Sequence, residues 1–148
     1  MKNYDWAGCK VEVDEIATRE WYAQAEEWGC ECGRCRNYLA VADKLPEQLL
    51  SLLKTLGIPL HKALHVSTVY FSDEELERMG RPGGHLLYLI EFRLAGRILE
   101  RPEQNQPEPW GLDVCYISPF IEADFPEPFF DIMVSGFLPW VLDEPING

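Results

Sequence analysis

The sequence predicts a single α+β domain in which N-terminal helices pack on one face of a mainly antiparallel sheet of about four strands. Apolar residues recur at helical spacing in the first half of the chain and alternate at strand spacing in the second half. They make up 47% of the 148 residues, which is enough to bury one hydrophobic core. We therefore expect one domain that spans residues 1–148.

Two main helices are predicted in the first half. Thr18 can cap the first helix and Gly29 can end it. Its apolar face carries Trp21, Tyr22, Ala25 and Trp28. The second helix begins at Pro46 and ends at Gly57, and its apolar face carries Leu49, Leu52, Leu53 and Leu56. A short helix at 39–42 is predicted between them.

The four predicted strands are rich in β-branched and aromatic residues. They cover residues 66–71, 85–99, 112–117 and 129–137. In the longest strand, one face holds Leu86, Tyr88, Ile90, Phe92 and Leu94. The opposite face holds Leu87 and Leu89 before it becomes charged, so we expect it to be partly covered. Residues 10–13 also alternate like a short strand, and a polar helical turn is predicted at 72–79.

The charge balance disfavours two classes of partner. With 25 acidic and 13 basic residues the net charge is −12, which opposes binding to nucleic acid and to anionic membranes. No apolar stretch approaches the roughly 18 residues needed to cross a bilayer. The first residues include Asp5 and Trp6 and have no apolar signal core, so the prediction is a cytoplasmic protein. A homo-oligomer or a protein partner remains compatible with this composition.

The five cysteines are the most informative residues for chemistry. An odd count without an export signal does not indicate a disulfide framework, so we expect free thiols. Three of the five, Cys30, Cys32 and Cys35, lie close together in the sequence, whereas Cys9 and Cys115 are isolated. The cluster has three interpretations.

The first interpretation is a metal site. Cysteines spaced as Cys32 and Cys35 can bind one zinc ion from a tight turn, and Cys30 can add a third thiolate. Gly33 relieves crowding in such a turn. A fourth ligand has to come from elsewhere in the chain, and the candidates are Cys9, Cys115, His61, His65 and His85.

The second interpretation is thiol redox chemistry, with Cys32 as the nucleophile and Cys35 as the resolving thiol. A helix start and the neighbouring Arg34 and Arg36 lower the pKa of a thiol. The third interpretation is structural: the thiols pack at a helix junction, with Asn37 as a cap and a buried Tyr38. An isolated Cys pair favours the structural interpretation over metal binding, and metal binding over redox chemistry.

No catalytic constellation is visible elsewhere. His61 and His65 are four residues apart, but Pro59 opposes the helix that would align them. The acidic residues Glu122, Asp124 and Glu127 fit a solvated, proline-rich loop. The sequence contains neither a nucleophile elbow nor a phosphate-binding glycine loop. We therefore predict no catalytic residues and no cofactor apart from zinc.

Two short motifs resemble a group of small uncharacterised bacterial proteins. The stretch from Cys32 to Tyr38 resembles their C-x-x-C-x-N-[F/Y] element, and residues 138–143 (Leu-Pro-Trp-Val-Leu-Asp) resemble their closing segment. The resemblance implies a compact α+β domain and brings no activity with it. The predicted function is a non-enzymatic binding or interaction domain that self-associates, with zinc binding and then thiol redox activity as the alternatives.

Overall fold

The computed structural model describes residues 1–115 and 117–146. Among them, strands alternate with helices along the chain and two short 3-10 turns, Ala42–Lys44 and Leu60–Lys62, flank α3. In chain order the strands and α-helices are β1 (Lys2–Trp6), β2 (Cys9–Val13), α1 (Glu15–Gln24), α2 (Gly33–Val41), α3 (Glu47–Leu56), β3 (His65–Val69), α4 (Asp73–Arg78), β4 (His85–Glu100), β5 (Leu112–Cys115) and β6 (Phe129–Pro139). The α+β class is thereby confirmed.

All strand pairs are antiparallel, and the sheet follows the order β1-β2-β4-β6-β5, with β3 also paired to β4. The long β4 makes this possible because β3 pairs with its first half and β2 pairs with its end. The predicted count of about four strands was wrong, since the sheet contains six strands within residues 1–115 and 117–146. Strand β1 was not predicted, because the polar residues Lys2, Asn3 and Asp5 interrupt the alternation of apolar and polar residues that indicates a strand.

The predicted order of N-terminal helices followed by the sheet was also wrong, although the helical turn predicted at 72–79 corresponds to α4. A β-hairpin precedes α1, and α4 lies between β3 and β4. The first helix begins at Asp14, whose carboxylate accepts from the Ala17 N–H at 3.0 Å. Thr18, the predicted cap, is instead buried within α1, where its hydroxyl accepts from the Ala95 N–H of β4 at 3.0 Å. The helix ends at Gln24, so Trp28 lies outside it.

The hydrophobic core lies between β4, β6 and the helices. The alternating residues of β4 are fully buried as predicted: Leu86, Tyr88, Ile90, Phe92 and Leu94. The apolar face of α3 is buried through Leu49, Leu53 and Leu56. The segment just before α3 packs closely on β6 at Gly136, where a Cβ would lie 2.8 Å from Leu45 Cδ2 and 3.4 Å from Pro46 Cδ. Full burial of one leucine, isoleucine or phenylalanine side chain stabilises the fold by about 1.5–3 kcal/mol.

Helix ends follow the local sequence closely. Gly57 ends α3 with a φ of 75°, a left-handed conformation that a Cβ disfavours. Ser72 caps α4 through a capping box with Glu75. The predicted strand at 112–117 corresponds to β5, which ends at Cys115, and position 116 lies outside the described residues.

A charged pair is buried on the face of the sheet opposite the β4 core residues. Arg93 of β4 donates to both carboxylate oxygens of Asp131 of β6, at 2.6 and 3.0 Å. The side chains are 4% and 0% exposed. The Ser118 N–H also donates to Asp131, and the Arg93 guanidinium lies 4.2 Å from the Phe129 ring centre.

Among the described residues, no helix has both the length and the apolar character required to cross a membrane.

Candidate metal centre

The three clustered cysteines meet at the start of α2. Cys30 belongs to the irregular segment after α1, Cys32 occupies the N-cap position of α2, and Cys35 lies in its first turn. Their sulfur atoms all lie within 4.8 Å of one another. Cys30 and Cys32 are exposed, whereas Cys35 is 4% exposed. We call residues 30–35 the three-thiol turn.

Helix α2 begins earlier than the sequence indicated. The predicted short helix at 39–42 extends back to Gly33, so the C-x-x-C pair is part of the helix start. Cys32 has extended backbone angles (φ −66°, ψ 161°), as is usual for an N-cap residue. Its carbonyl accepts from the Arg36 N–H at 2.9 Å, which is the first hydrogen bond of the helix. The positive end of the helix dipole therefore faces the turn.

The environment of Cys32 favours its thiolate. Partial burial raises the pKa of Cys32, but this effect is outweighed by the backbone amides of Cys35 and Arg34 and by the thiols of Cys30 and Cys35. The pKa of Cys32 is therefore lowered. The sulfur makes no capping hydrogen bond of standard geometry, so the amides act by proximity to the negative charge.

The environment of Cys35 has the opposite effect. Burial raises the pKa of Cys35 to about 12, and the neighbouring Cys30 and Cys32 add to the increase. The indole N–H of Trp28 acts in the other direction and lowers that pKa. Trp28 Nε1 is buried and makes no hydrogen bond of standard geometry within the described part of the chain. The Cys35 sulfur is therefore the acceptor toward which this N–H is available.

Two strands of the sheet make hydrogen bonds to the three-thiol turn. Tyr88, near the start of β4, donates from its hydroxyl to the Arg34 carbonyl at 2.7 Å. The same hydroxyl accepts from Asn37 Nδ2 at 3.2 Å. Arg34 Nη1 donates to Thr68 Oγ1 of β3 at 2.7 Å. The start of α2 is thus tied to two strands by hydrogen bonds, which fixes the backbone between Cys32 and Cys35.

The C-terminal segment holds the turn from the side. Asn37 is fully buried, and its side chain donates to the Pro139 carbonyl at 3.0 Å and accepts from the Val141 N–H at 2.9 Å. Asn37 therefore joins the two motifs on which the sequence resemblance rests. The prediction that Asn37 caps a helix was wrong, because its side chain bonds to the C-terminal segment instead. Tyr38 is buried as predicted.

Gly33 makes room for this packing. A Cβ at Gly33 would lie 2.8 Å from Glu144 Oε1 and 3.5 Å from the Trp140 ring. The Glu144 carboxylate accepts from Arg36, whose Nε donates to the Glu31 carbonyl at 2.9 Å. The two arginines beside the thiols are therefore both engaged in fixing the turn. Crowding at Gly33 comes from the C-terminal segment and is not a local effect.

None of the other predicted ligands joins the cluster, although His61 and His65 both contact Trp28. Among the described residues, only Cys30, Cys32 and Cys35 form a cluster that could hold a metal ion. The remaining candidates have other neighbours: Cys9 is buried in the core, Cys115 lies in β5 opposite Asp131, His61 pairs with Glu27 at 3.6 Å, His65 stacks on Phe120, and the His85 ring lies 3.2 Å from the Gly83 carbonyl. The predicted fourth protein ligand is not supplied by any of these five.

The geometry of the cluster fits a thiolate-bound metal ion. In a tetrahedral zinc site with Zn–S distances of about 2.3 Å, the sulfur atoms are about 3.8 Å apart. Sulfurs that already lie within 4.8 Å need to move by only about 1 Å to reach this spacing. The three cysteines can therefore hold a metal ion. Cys30 and Cys32 are exposed, so a further coordination position would face solvent.

The sequence did not indicate which residues support the site. Trp28 was assigned to a helix face, and Tyr88 was assigned only to the core. The one available signal was the resemblance, which selected Asn37 and the segment at 138–143 together.

Comparisons with protein-family models, curated proteins and solved structures find no match to this chain. The resemblance to small bacterial proteins stays a prediction.

Proposed function

We propose that the three-thiol turn binds one zinc ion through the thiolates of Cys30, Cys32 and Cys35. The observation that carries the proposal is the placement of three sulfur atoms within 4.8 Å of one another at a helix start. Thiolate ligands select soft or borderline ions such as zinc and disfavour hard ions such as magnesium. The fourth position of the ion belongs to solvent or to an external ligand.

The surroundings of the sulfurs support this function. The amides at the start of α2 stabilise negative charge on Cys32. The Trp28 N–H is available to the Cys35 sulfur once zinc displaces the thiol proton. Donors of this kind orient metal ligands and tune their basicity. The hydrogen bonds of Tyr88 and Asn37 hold the ligand-bearing backbone before the ion arrives.

Zinc titration against a chromophoric chelator tests the proposal. We expect one zinc ion per chain, and replacement of any of the three cysteines by serine should weaken binding by about 100-fold or more. C115S is the matched control because Cys115 is a partly buried thiol outside the cluster. Zinc binding that survives in the C30S/C32S/C35S variant, or that is lost equally in C115S, contradicts the proposal.

A second candidate function is self-association through β3. Among the described residues this strand pairs on one side only, with β4, so its other edge has unpaired backbone groups. Val69 at its end is 37% exposed and the following Tyr70 is 49% exposed. The end of this edge is therefore apolar and exposed, whereas Thr68 before it is bonded to Arg34, and an exposed edge end of this kind is a template for pairing with a second strand. It would make the chain a non-enzymatic interaction domain.

Light scattering coupled to size-exclusion chromatography tests this second function. A dimer that dissociates on V69K supports pairing at the β3 edge, because a lysine on an edge strand opposes further pairing. I16K serves as the control, since Ile16 is an exposed apolar residue on α1. A strict monomer at high protein concentration, or a dimer that both variants weaken equally, contradicts it.

A further inference from the structure

Two thiols of the three-thiol turn, Cys32 and Cys35, differ in solvent exposure, and metal binding alone does not require this difference. Cys32 is exposed, so its sulfur can be reached by a molecule in solution. Cys35 is 4% exposed and lies three residues further along the chain, on the buried side of the same turn. Residues at this spacing share one face of a helix. The Cys32 sulfur therefore has solvent on one side and the Cys35 sulfur within 4.8 Å.

This arrangement matches what thiol–disulfide exchange requires. Exchange takes two steps that are joined by a mixed-disulfide intermediate. In each step an attacking sulfur displaces a leaving sulfur from a central sulfur. If Cys32 carries the mixed disulfide, the leaving group points to solvent and Cys35 can approach from the protein side. Cys30 lacks this placement, because it is itself exposed and lies in the irregular segment before α2.

We propose that in the metal-free protein Cys32 and Cys35 exchange with small disulfides, with Cys32 as the attacking thiol and Cys35 as the resolving thiol. This activity goes beyond zinc binding and does not depend on it. The ion and the disulfide exclude each other, since both use the same sulfur atoms. The tie of the Arg34 carbonyl to Tyr88 keeps the two cysteines on one turn during the reaction.

The reaction is balanced without a further reagent. The Cys32 thiolate attacks one sulfur of the small disulfide, the S–S bond of that molecule breaks, and its first half leaves as a thiolate. The Cys35 sulfur then attacks the Cys32 sulfur of the mixed disulfide, and the second half leaves. The proton of Cys35 passes to a leaving thiolate. The two cysteines are oxidised to one disulfide, and the small disulfide is reduced to two thiols.

The surroundings of Cys32 favour a small substrate. The C-terminal segment lies against Gly33, the residue after Cys32, through Glu144 Oε1 and the Trp140 ring, and it limits the space on one side of the exposed Cys32 thiol. Closing the Cys32–Cys35 disulfide requires the sulfurs to approach from within 4.8 Å to about 2.05 Å. Rotation of an exposed N-cap side chain can supply this movement without unfolding α2.

The test uses the full chain, reduced and kept metal-free with a chelator, and bis(2-hydroxyethyl) disulfide as the probe. We expect two 2-mercaptoethanol molecules to be released per chain and peptide mapping to find a Cys32–Cys35 disulfide. C35S should stop at a stable 2-mercaptoethanol adduct on Cys32, and C30S should still close the disulfide. C115S is the control and should behave as the unchanged protein does.

Two results overturn the proposal. One is a stable adduct on Cys32 in the unchanged chain, which shows that no thiol resolves it. The other is disulfide closure in C35S at the rate of the unchanged chain, which assigns resolution to another cysteine. Mapping the product in the unchanged chain gives an answer even if a variant folds poorly. Since every sample contains the chelator, a failure of zinc binding leaves this result unaffected and is measured separately.

Discussion

The Arg93–Asp131 pair and the three-thiol turn are both built from groups that ionise, and they differ in how far the chain itself satisfies them. Asp131 accepts three hydrogen bonds, two from Arg93 and one from the Ser118 N–H, and the pair is almost wholly buried. The thiols of Cys30 and Cys32 are exposed, and their neighbours are other thiols and the amides at the start of a helix.

This difference separates groups that stabilise the fold from groups that can bind a ligand. A buried charge that is paired and hydrogen-bonded within the chain has no capacity left for a ligand, so its role is to hold β4 to β6. Exposed sulfurs that converge on one point without such partners have that capacity. We therefore expect changes at Arg93 or Asp131 to act on folding and changes at the three-thiol turn to act on ligands.

The largest expected effect on stability is at Asp131. D131N removes the charge that balances the buried Arg93, and we expect the free energy of unfolding to fall by about 3–5 kcal/mol. Zinc affinity, measured where the variant is folded, should be unchanged. E100Q is the control, because the Lys10–Glu100 pair at 3.7 Å is largely exposed and should contribute less than about 1 kcal/mol. Urea denaturation of both variants checks the prediction, and equal losses would contradict it.

Asn37 lies at the boundary between the two kinds of chemistry. N37A leaves the Val141 N–H and the Pro139 carbonyl without their partner in bonds that are part-buried, and an unsatisfied group costs about 1–3 kcal/mol when water does not reach it. We expect a loss of about 2–3 kcal/mol in unfolding free energy together with weaker zinc binding. N105A is the control, since Asn105 also bonds through its amide but is exposed. A loss of stability with no change in zinc affinity would separate the C-terminal segment from the site.

The pH dependence of zinc binding distinguishes the two thiol environments. Because the pKa of Cys35 is raised to about 12, zinc must displace the Cys35 proton at every pH at which the protein is handled. Protons compete with zinc, so affinity rises with pH by about tenfold per unit for each proton released, or about 100-fold over two units for Cys35 alone. The slope should fall by about one proton in C35S. An affinity that is independent of pH would contradict the assignment of Cys35 as a ligand.

The smallest expected effect is at Trp28. W28F keeps the aromatic ring but removes the N–H that acts on the Cys35 sulfur, and we expect zinc affinity to fall by about tenfold. W21F is the matched control, because the Trp21 N–H donates to the Asp124 carbonyl at 2.7 Å, away from the cluster. Chelator competition on both variants measures the difference. Equal affinities in W28F and W21F would show that the Trp28 N–H does not serve the site.

The sequence predicted the fold best where local pattern and burial agree. The alternation of β4 and the leucine face of α3 each belong to one continuous element, so their spacing was sufficient. It failed at β1, where polar residues occupy a strand, and at Thr18, whose hydroxyl accepts from the Ala95 N–H of β4 instead of capping α1. The first failure reflects the polar composition of a strand that pairs locally with β2, and the second depends on a contact between distant segments, which spacing does not record.

For the site, the sequence supplied the ligands and not their support. The three cysteines are adjacent in the chain, so their convergence could be anticipated. The contacts that fix them involve Trp28, Tyr88 and Val141, which are separated from one another by large stretches of chain. The sequence also offered five candidates for a fourth ligand and could not show that none of them joins the cluster.

X-ray absorption at the zinc edge tests the central claim most directly. For the zinc-loaded chain, the proposal predicts a first shell of three sulfur atoms at about 2.3 Å and one lighter atom at about 2.0 Å. The C30S/C32S/C35S variant should lack the sulfur shell. A first shell made only of oxygen or nitrogen in the unchanged chain, or the same sulfur shell in the variant, would contradict it.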